Sequence, residues 1–214
     1  MLGEMVSLDS SLLDLIKKRR SVKSYQPKKV PMEVLLNILE AARWAPSAHN
    51  AQPWRFTLVV DPSLKRRLAD AMAEEWAEDL VKDGVSPDTR ERLIEASIDR
   101  FTRAPLLLIA SITMEEMNNY PDEERRKFEH LMATQSLAAA LQNMLLAAQS
   151  MGLGSCWFCA PLFCQDQVRR VLGMPENVEP QALITLGYPS EIPDPPPRKP
   201  LEEIVYKNRW SGEL

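Results

Sequence analysis

One long apolar helix constrains this chain more than any other feature. Residues 121–151 keep helical spacing throughout, and residues 138–147 are apolar on nearly all sides of that helix. A surface helix keeps one polar face, whereas a helix that is apolar all round has to be buried. We therefore expect this helix at the centre of a core or of a subunit interface.

Shorter elements surround this helix on both sides in the sequence. Helical spacing and first-position prolines predict helices over residues 8–19, 31–45, 62–82, 86–101 and 165–172. Apolar runs predict strands over residues 54–60, 105–112 and 182–186, and residues 156–159 read as a short strand or an extended loop. Gly152 and Gly154 fit a helix C-cap followed by a turn. The predicted class is α+β, with long helices around a small sheet.

The composition changes after Gly187. Residues 189–200 contain six prolines in twelve positions, which excludes a helix or a central strand and favours an extended backbone. We therefore expect one domain over residues 1–214, in which residues 189–214 form an arm that leaves the core.

Charge and hydropathy exclude several classes of protein. The 26 Lys and Arg side chains against 30 Asp and Glu give a net charge of −4, whereas a general nucleic-acid binder should be basic. The longest uncharged apolar run, taken as residues 104–113, is about half of the roughly twenty residues that cross a membrane. The N-terminus lacks the apolar region of a signal peptide. We expect a soluble, cytoplasmic protein with no nucleic-acid or membrane partner.

Three clustered cysteines allow more than one interpretation. Cys156, Cys159 and Cys164 have spacing that a zinc or iron–sulfur site could use, and the first two form a CxxC pair. However, the chain has two histidines and no second cysteine pair, so a fourth ligand would have to come from far away in the sequence. We favour packed thiols in a reducing compartment and expect no metal.

Basic residues gather at both ends of the chain. The run Lys17-Lys18-Arg19-Arg20-Ser21-Val22-Lys23 follows a helix and offers paired donors to a phosphate, although a solvated helix end explains the same charges. Lys207 and Arg209 stand two apart, so on an extended arm they would point the same way. The alternative for this second pair is a disordered basic tail.

Residues 45–54, APSAHNAQPW, link a predicted helix to a predicted strand without glycine. Their small side chains permit close approach of a flat ligand. The polar side chains of Ser47, Asn50 and Gln52 could form hydrogen bonds with an imide group at the edge of that ligand. A plain capped loop is the alternative. The chain has no dinucleotide-binding glycine motif, phosphate loop, zinc-protease motif or nucleophile elbow, which disfavours a hydrolase.

Four clusters taken together resemble the FMN-dependent nitroreductase family. They are RRSVK (19–23), APSAHNAQPW (45–54), GLGSCW (152–157) and the K-x-R of residues 207–209, in the family's order and spacing. The resemblance implies an α+β homodimer with small-molecule acceptors, one FMN in each subunit interface, and an arm that reaches the partner subunit. The runs WFCAPLFC (157–164), QALITLGYP (181–189) and RKPLEEIV (198–205) resemble a narrower subgroup. That subgroup includes the FMN-binding domain of deazaflavin-coenzyme glutamate ligases, although this sequence contains no ligase domain.

The resemblance also implies where the cofactor would lie. Arg19, Arg20, Ser21 and Lys23 would approach its phosphate, ribityl chain and ring edge, and Lys207 and Arg209 would complete the phosphate clamp. Pro46, Ser47, Ala48 and Asn50 would cover the ring from the other subunit. Trp157, Phe158, Cys159 and Ala160 would follow the back of the ring, with Arg100 near N1 and O2. Some members carry an acidic residue and a glycine in place of Cys159 and Ala160, which preserves the backbone contact and changes the local charge.

The implied activity needs no catalytic side chain, because the flavin carries the chemistry. NAD(P)H would reduce FMN, leave, and be replaced by a nitroaromatic, quinone or enone-like acceptor, which is a ping-pong order. Two alternatives stay open: a reductase for a dehydro precursor of a deazaflavin coenzyme, and a flavin-binding dimer without catalysis.

Overall fold

A computed structural model describes residues 10–212 of the chain. The helices are α1 (Ser10–Lys18), α2 (Met32–Arg43), α3 (Pro62–Lys82), α4 (Pro87–Arg103), α5 (Glu123–Ser150) and α6 (Gln165–Leu172). The strands are β1 (Trp54–Val59), β2 (Leu106–Thr113), β3 (Gly154–Phe158) and β4 (Val178–Gly187), and three short 3₁₀ turns lie at Ala48–Asn50, Ala160–Phe163 and Leu201–Glu203. Of the predicted first helix, residues 8 and 9 lie outside the described residues.

The strands form one antiparallel sheet in the order β1-β2-β4-β3. All eight residues of β2 are buried, as a central strand covered on both faces requires. In this order, β1 and β3 occupy the two opposite edges. The predicted α+β class with a small sheet is confirmed.

Two apolar clusters cover the two faces of the sheet. One cluster joins α2 and α5 to β2 and β4 through residues such as Ile38, Leu141 and Ile184. The other joins α3, α4 and α6 to the opposite face through Leu68, Phe101 and Val168. Strand alternation sends neighbouring side chains of β3 into different clusters. Trp157 packs against the first and Phe158 against the second.

The helix predicted over residues 121–151 is α5. The Asp122 side chain caps its N-terminus by accepting from the Arg125 N–H at 2.9 Å, and Gly152, at φ 74°, follows its C-terminus. Its length and composition would also suit a membrane span, so the expectation that residues 104–113 are the longest uncharged apolar run is wrong. Ala140, Leu141 and Met144 of α5 are completely buried, so core packing accounts for part of its apolar character.

β4 begins at Val178, four residues earlier than the sequence indicated. Pro180 obscured this start because proline has no N–H and is rare in central strands. The pairing shifts register between Ala110 and Ser111 of β2, and Pro180 lies opposite Ser111 at that irregularity. A bulge thus accommodates the proline inside the sheet.

Gly154 is a strand residue, so its predicted place in a turn is wrong. A Cβ at this position would lie 2.7 Å from the Val22 Cβ and Cγ1 atoms. The Val22 N–H donates to the Ser155 carbonyl at 3.0 Å, which holds the N-terminal segment against β3. Glycine is required here because two backbone segments approach closely.

We predict that Gly154→Ala lowers the free energy of unfolding by about 1–3 kcal/mol, the cost of overpacking a tight site. Denaturant unfolding measures this difference. The double variant with Val22→Ala should recover part of the loss, because it removes the Cγ atoms that the new methyl group meets. Equal stability of Gly154→Ala and the wild type would show that this approach does not require glycine.

Candidate functional site

The N-terminal segment runs beside β3 and is fixed there by backbone and side-chain bonds. Ser21 forms an isolated parallel bridge with Ser155. The partly buried phenol of Tyr25 donates to the Val22 carbonyl at 2.6 Å and lies 2.7 Å from the Thr185 hydroxyl. Burial raises the pKa of Tyr25, so the phenol stays protonated and keeps this tie at neutral pH. RRSVK and GLGSCW, which are far apart in the sequence, thus become neighbours.

Two cations flank the aromatic ring at the end of β3. The Lys23 Nζ atom lies 6.0 Å from the centre of the Phe158 ring, and the Arg100 Cζ atom lies 5.7 Å from it. Arg100 comes from α4, where no motif marks it in the sequence. The structure therefore brings Lys23 and Arg100 together.

Arg20 faces another way. Its Nη1 atom donates to the Lys17 and Arg19 carbonyls, at 2.5 and 2.8 Å, and so caps the C-terminus of α1. A cation at this position also complements the helix dipole. In this geometry the helix-end interpretation describes Arg20, while Arg19 and Lys23 remain beside β3 near the Cys156 thiol.

The cysteines of this region are free thiols in different surroundings. Cys156 and Cys164 are buried, and Cys159 is exposed. Burial raises the pKa of Cys156 against the opposing positive charges of Lys23, Arg100 and Arg19, and burial also raises the pKa of Cys164 to about 11. Both buried groups therefore stay protonated, whereas metal ligation and thiol exchange use the thiolate. Within residues 10–212, no three His, Cys, Asp or Glu side chains gather as a metal site.

A cavity of about 350 Å³ opens next to Cys159 and Cys164, between α3, α4 and the turn that follows β3. Aromatic side chains, three carboxylates and Arg100 line it together with Cys159 and Ala160. The aromatic and acidic residues are Trp76, Phe101, Phe158, Phe163, Glu75, Asp79 and Asp83. No sequence motif marks the α3 residues that line this cavity, so their contribution to it was not predicted. A second groove, of about 330 Å³, lies between Lys23, Tyr25 and Arg103, and Arg100 borders both openings.

The loop of residues 46–52 lies at the other edge of the sheet, before β1. Three inter-strand spacings separate β1 from β3, which is about 14 Å. Within one chain, Pro46, Ser47, Ala48 and Asn50 are therefore not brought to Phe158. The structure divides the predicted cofactor residues into two groups on opposite edges.

The basic pair near the C-terminus has a different backbone from the one expected. The Arg209 N–H donates to the Lys207 carbonyl at 2.8 Å, and Asn208 between them has φ 64°. This is a turn, so the prediction that Lys207 and Arg209 point the same way along an extended strand is wrong. Residues 190–211 are exposed throughout, and Trp210 is 82% exposed.

Comparisons with known proteins agree on one family. The model of the nitroreductase family matches residues 16–188. YfhC of Bacillus subtilis, whose name describes an NAD(P)H nitroreductase, is 29% identical over 200 residues, which cover 94% of this chain and 95% of that protein.

Solved structures give the same assignment. A BluB-like flavoprotein from Clostridium difficile 630 superposes with a TM-score of 0.77 at 29% identity, covering 92% of this chain and 99% of the other. Iodotyrosine deiodinase bound to FMN and 3-iodo-L-tyrosine superposes with a TM-score of 0.72, also at 29% identity and with the same coverage.

Proposed function

Because this chain belongs to the nitroreductase family and is an FMN-dependent NAD(P)H oxidoreductase, we propose that it reduces small organic acceptors in a ping-pong order. One observation supports this most: Lys23 and Arg100, from two distant segments, converge on Phe158 of β3, and Ser21 is bridged to Ser155 of the same strand. Bound FMN would accept a hydride from NAD(P)H and pass it to the acceptor. Nitroaromatic, quinone and enone-like compounds are the proposed acceptors.

The charges at β3 fit a flavin phosphate and ring. Arg19 and Lys23 supply cations in a protein whose net charge is −4. Lys23 and Arg100 place positive charge beside Phe158, which would stabilise a reduced, anionic ring.

The backbone from Trp157 to Ala160 would lie along that ring, and Lys207 and Arg209 would complete the phosphate clamp. Ser21 would donate its hydroxyl to the phosphate or the ribityl chain. Arg20 would join the clamp only after releasing the α1 carbonyls.

The separation of the two edges supports a homodimer. The loop with Pro46, Ser47, Ala48 and Asn50 precedes β1, which lies about 14 Å from β3 across the sheet of its own chain, so a second copy would supply it. Apolar side chains for such an interface are exposed on α5, where Phe128 and Leu131 are 54% and 52% exposed. The arm would reach the partner subunit with Trp210. Three free thiols support a reducing, cytoplasmic compartment.

The activity is tested with the purified protein and its bound flavin. NADH or NADPH should bleach the flavin absorbance under anaerobic conditions, and an acceptor should restore it in a separate mixing step. A ping-pong order predicts parallel double-reciprocal plots when donor and acceptor are varied together. Flavin that stays oxidised with every hydride donor would contradict the proposal and favour a non-catalytic flavin-binding dimer.

The acceptor panel distinguishes the remaining candidates. It should contain a nitroaromatic, a quinone, an enone, a deazaflavin-type dehydro precursor and 3-iodo-L-tyrosine, because a structural relative binds the last compound. Fast reoxidation by the dehydro precursor alone would assign the chain to deazaflavin coenzyme synthesis. A neighbouring ligase gene would support that assignment.

Phosphate recognition gives a second prediction. Arg19→Ala or Arg209→Ala should weaken FMN binding by about 1.5–3 kcal/mol, the usual value of a hydrogen bond to a charged group. Riboflavin has no phosphate, so its affinity should change far less in isothermal titration. Arg66→Ala is the matched control, because Arg66 pairs with Asp70 on the surface of α3. Equal losses for FMN and riboflavin would place both arginines away from the phosphate.

Light scattering tests the dimer. The expected mass is about twice the 24.3 kDa of one chain, at micromolar concentration and with flavin bound. Covering the exposed apolar residues of α5 and the arm is the physical reason for association. A flavin-loaded monomer would contradict both the dimer and the placement of residues 46–50 over the ring.

A further inference from the structure

One buried carboxylate has no role in the function proposed above. Glu129 lies on α5, and its side chain is 2% exposed. An ionised carboxylate is rarely buried unless hydrogen bonds or an opposite charge compensate the loss of water. The contacts of the Glu129 carboxylate therefore indicate which groups compensate its burial and which segments it stabilises.

Glu129 contacts two segments that are distant in the sequence. Its Oε2 atom accepts from the Asn118 backbone N–H at 3.2 Å, and its Oε1 atom lies 3.3 Å from the His49 Nε2 atom. The Asn118 side-chain amide lies 3.1 Å from the same Nε2 atom. With its proton on Nε2, His49 donates to the carboxylate, whereas with its proton on Nδ1 its Nε2 atom accepts from the Asn118 amide. Glu129 thus links α5 to the loop of residues 46–52.

A second contact from α5 reaches the same loop. Ser136 lies seven residues after Glu129, which is two turns later on the same face of the helix. Its hydroxyl accepts from the Ala48 N–H at 3.1 Å and donates to the Met132 carbonyl at 2.7 Å. The loop is therefore held at two neighbouring residues, Ala48 and His49, by one helix face.

The loop needs such support because its backbone is strained. His49, Asn50 and Gln52 have φ values of 57°, 55° and 49°, in the left-handed region that residues other than glycine rarely occupy. Three such residues within four positions persist only where surrounding contacts stabilise them. The Gln52 N–H donates to the Ser47 hydroxyl at 3.0 Å and closes the loop on itself.

We propose that Glu129 is a positioning residue, which holds the 46–52 loop in the strained conformation that presents Ser47, Ala48 and Asn50 to FMN across the dimer. This inference rests on the proposed function. Glu129 does not touch the cofactor in this scheme. It acts through His49, on the loop that covers the ring.

The decisive variant is Glu129→Leu. Leucine fills the buried space, and replacing a buried charge by an apolar side chain often leaves a fold intact. The contact with His49 is lost, so we expect the FMN dissociation constant to rise at least tenfold and the absorbance spectrum of bound FMN to shift. Glu129→Gln keeps a hydrogen-bonding side chain toward Asn118 and His49, and should restore most of the affinity.

The matched control is Glu179→Leu. Glu179 of β4 pairs with His130 of α5 at 2.7 Å, so this is a second carboxylate–histidine contact of α5, at a more exposed position that does not touch the loop. We expect less than a threefold change in its FMN dissociation constant. A purely structural role for such pairs would make Glu129→Leu and Glu179→Leu alike in FMN affinity.

His49→Ala removes the other side of the same contact at a half-exposed position, so it keeps the test decisive if Glu129→Leu does not fold. It should also weaken FMN binding, and hydrogen exchange of the amides in residues 48–52 should become faster. An unchanged dissociation constant and spectrum in a folded Glu129→Leu or His49→Ala protein would overturn this inference alone. A wild-type protein that binds no FMN would instead overturn the proposed function, and this inference with it.

Discussion

The pairing of β2 with β4 is the contact on which the rest of the structure depends. These two strands occupy the middle of the sheet, and α5 packs on one face while α3, α4 and α6 pack on the other. Their central position leaves β1 and β3 as edges. Each edge carries one group of the residues proposed to bind the cofactor. The proposed site would therefore need the two edges to meet, which one copy of this sheet cannot arrange within itself.

The sequence predicted the helices well because apolar spacing and proline are local signals. The predictions for α3 and α6 match the structure to the residue, at Pro62–Lys82 and Gln165–Leu172. Strand ends were less predictable because they depend on partners. Pro180 is inside β4 where β2 shifts register opposite it, and Gly154 is a strand residue because it pairs with Gly187 of β4. Neither cause is visible in the run of residues itself.

The candidate site was predictable where a motif carries it. RRSVK contains Ser21 and Lys23, GLGSCW contains Ser155 and WFCAPLFC contains Phe158, and the structure brings these runs together. Residues that join through tertiary packing had no such signal. The cavity wall supplied by α3 belongs to a helix whose sequence shows only ordinary amphipathic spacing. The direction of Arg20 was also hidden, because capping the α1 carbonyls competes locally with binding a phosphate.

The two halves of the proposed site are held by different physical means. At β3, the backbone of a sheet fixes Ser21 through its bridge to Ser155, and the partly buried phenol of Tyr25 secures the same segment. At the other edge, a strained loop depends on side chains of α5. The backbone bridge at β3 does not depend on one particular side chain, whereas the loop depends on Glu129 and Ser136 of α5. In the proposed dimer, the β3 half would form within one subunit, while the loop half would act on the cofactor of the partner. Association would then place the flavin-binding surface of β3 under a loop whose conformation α5 already stabilises.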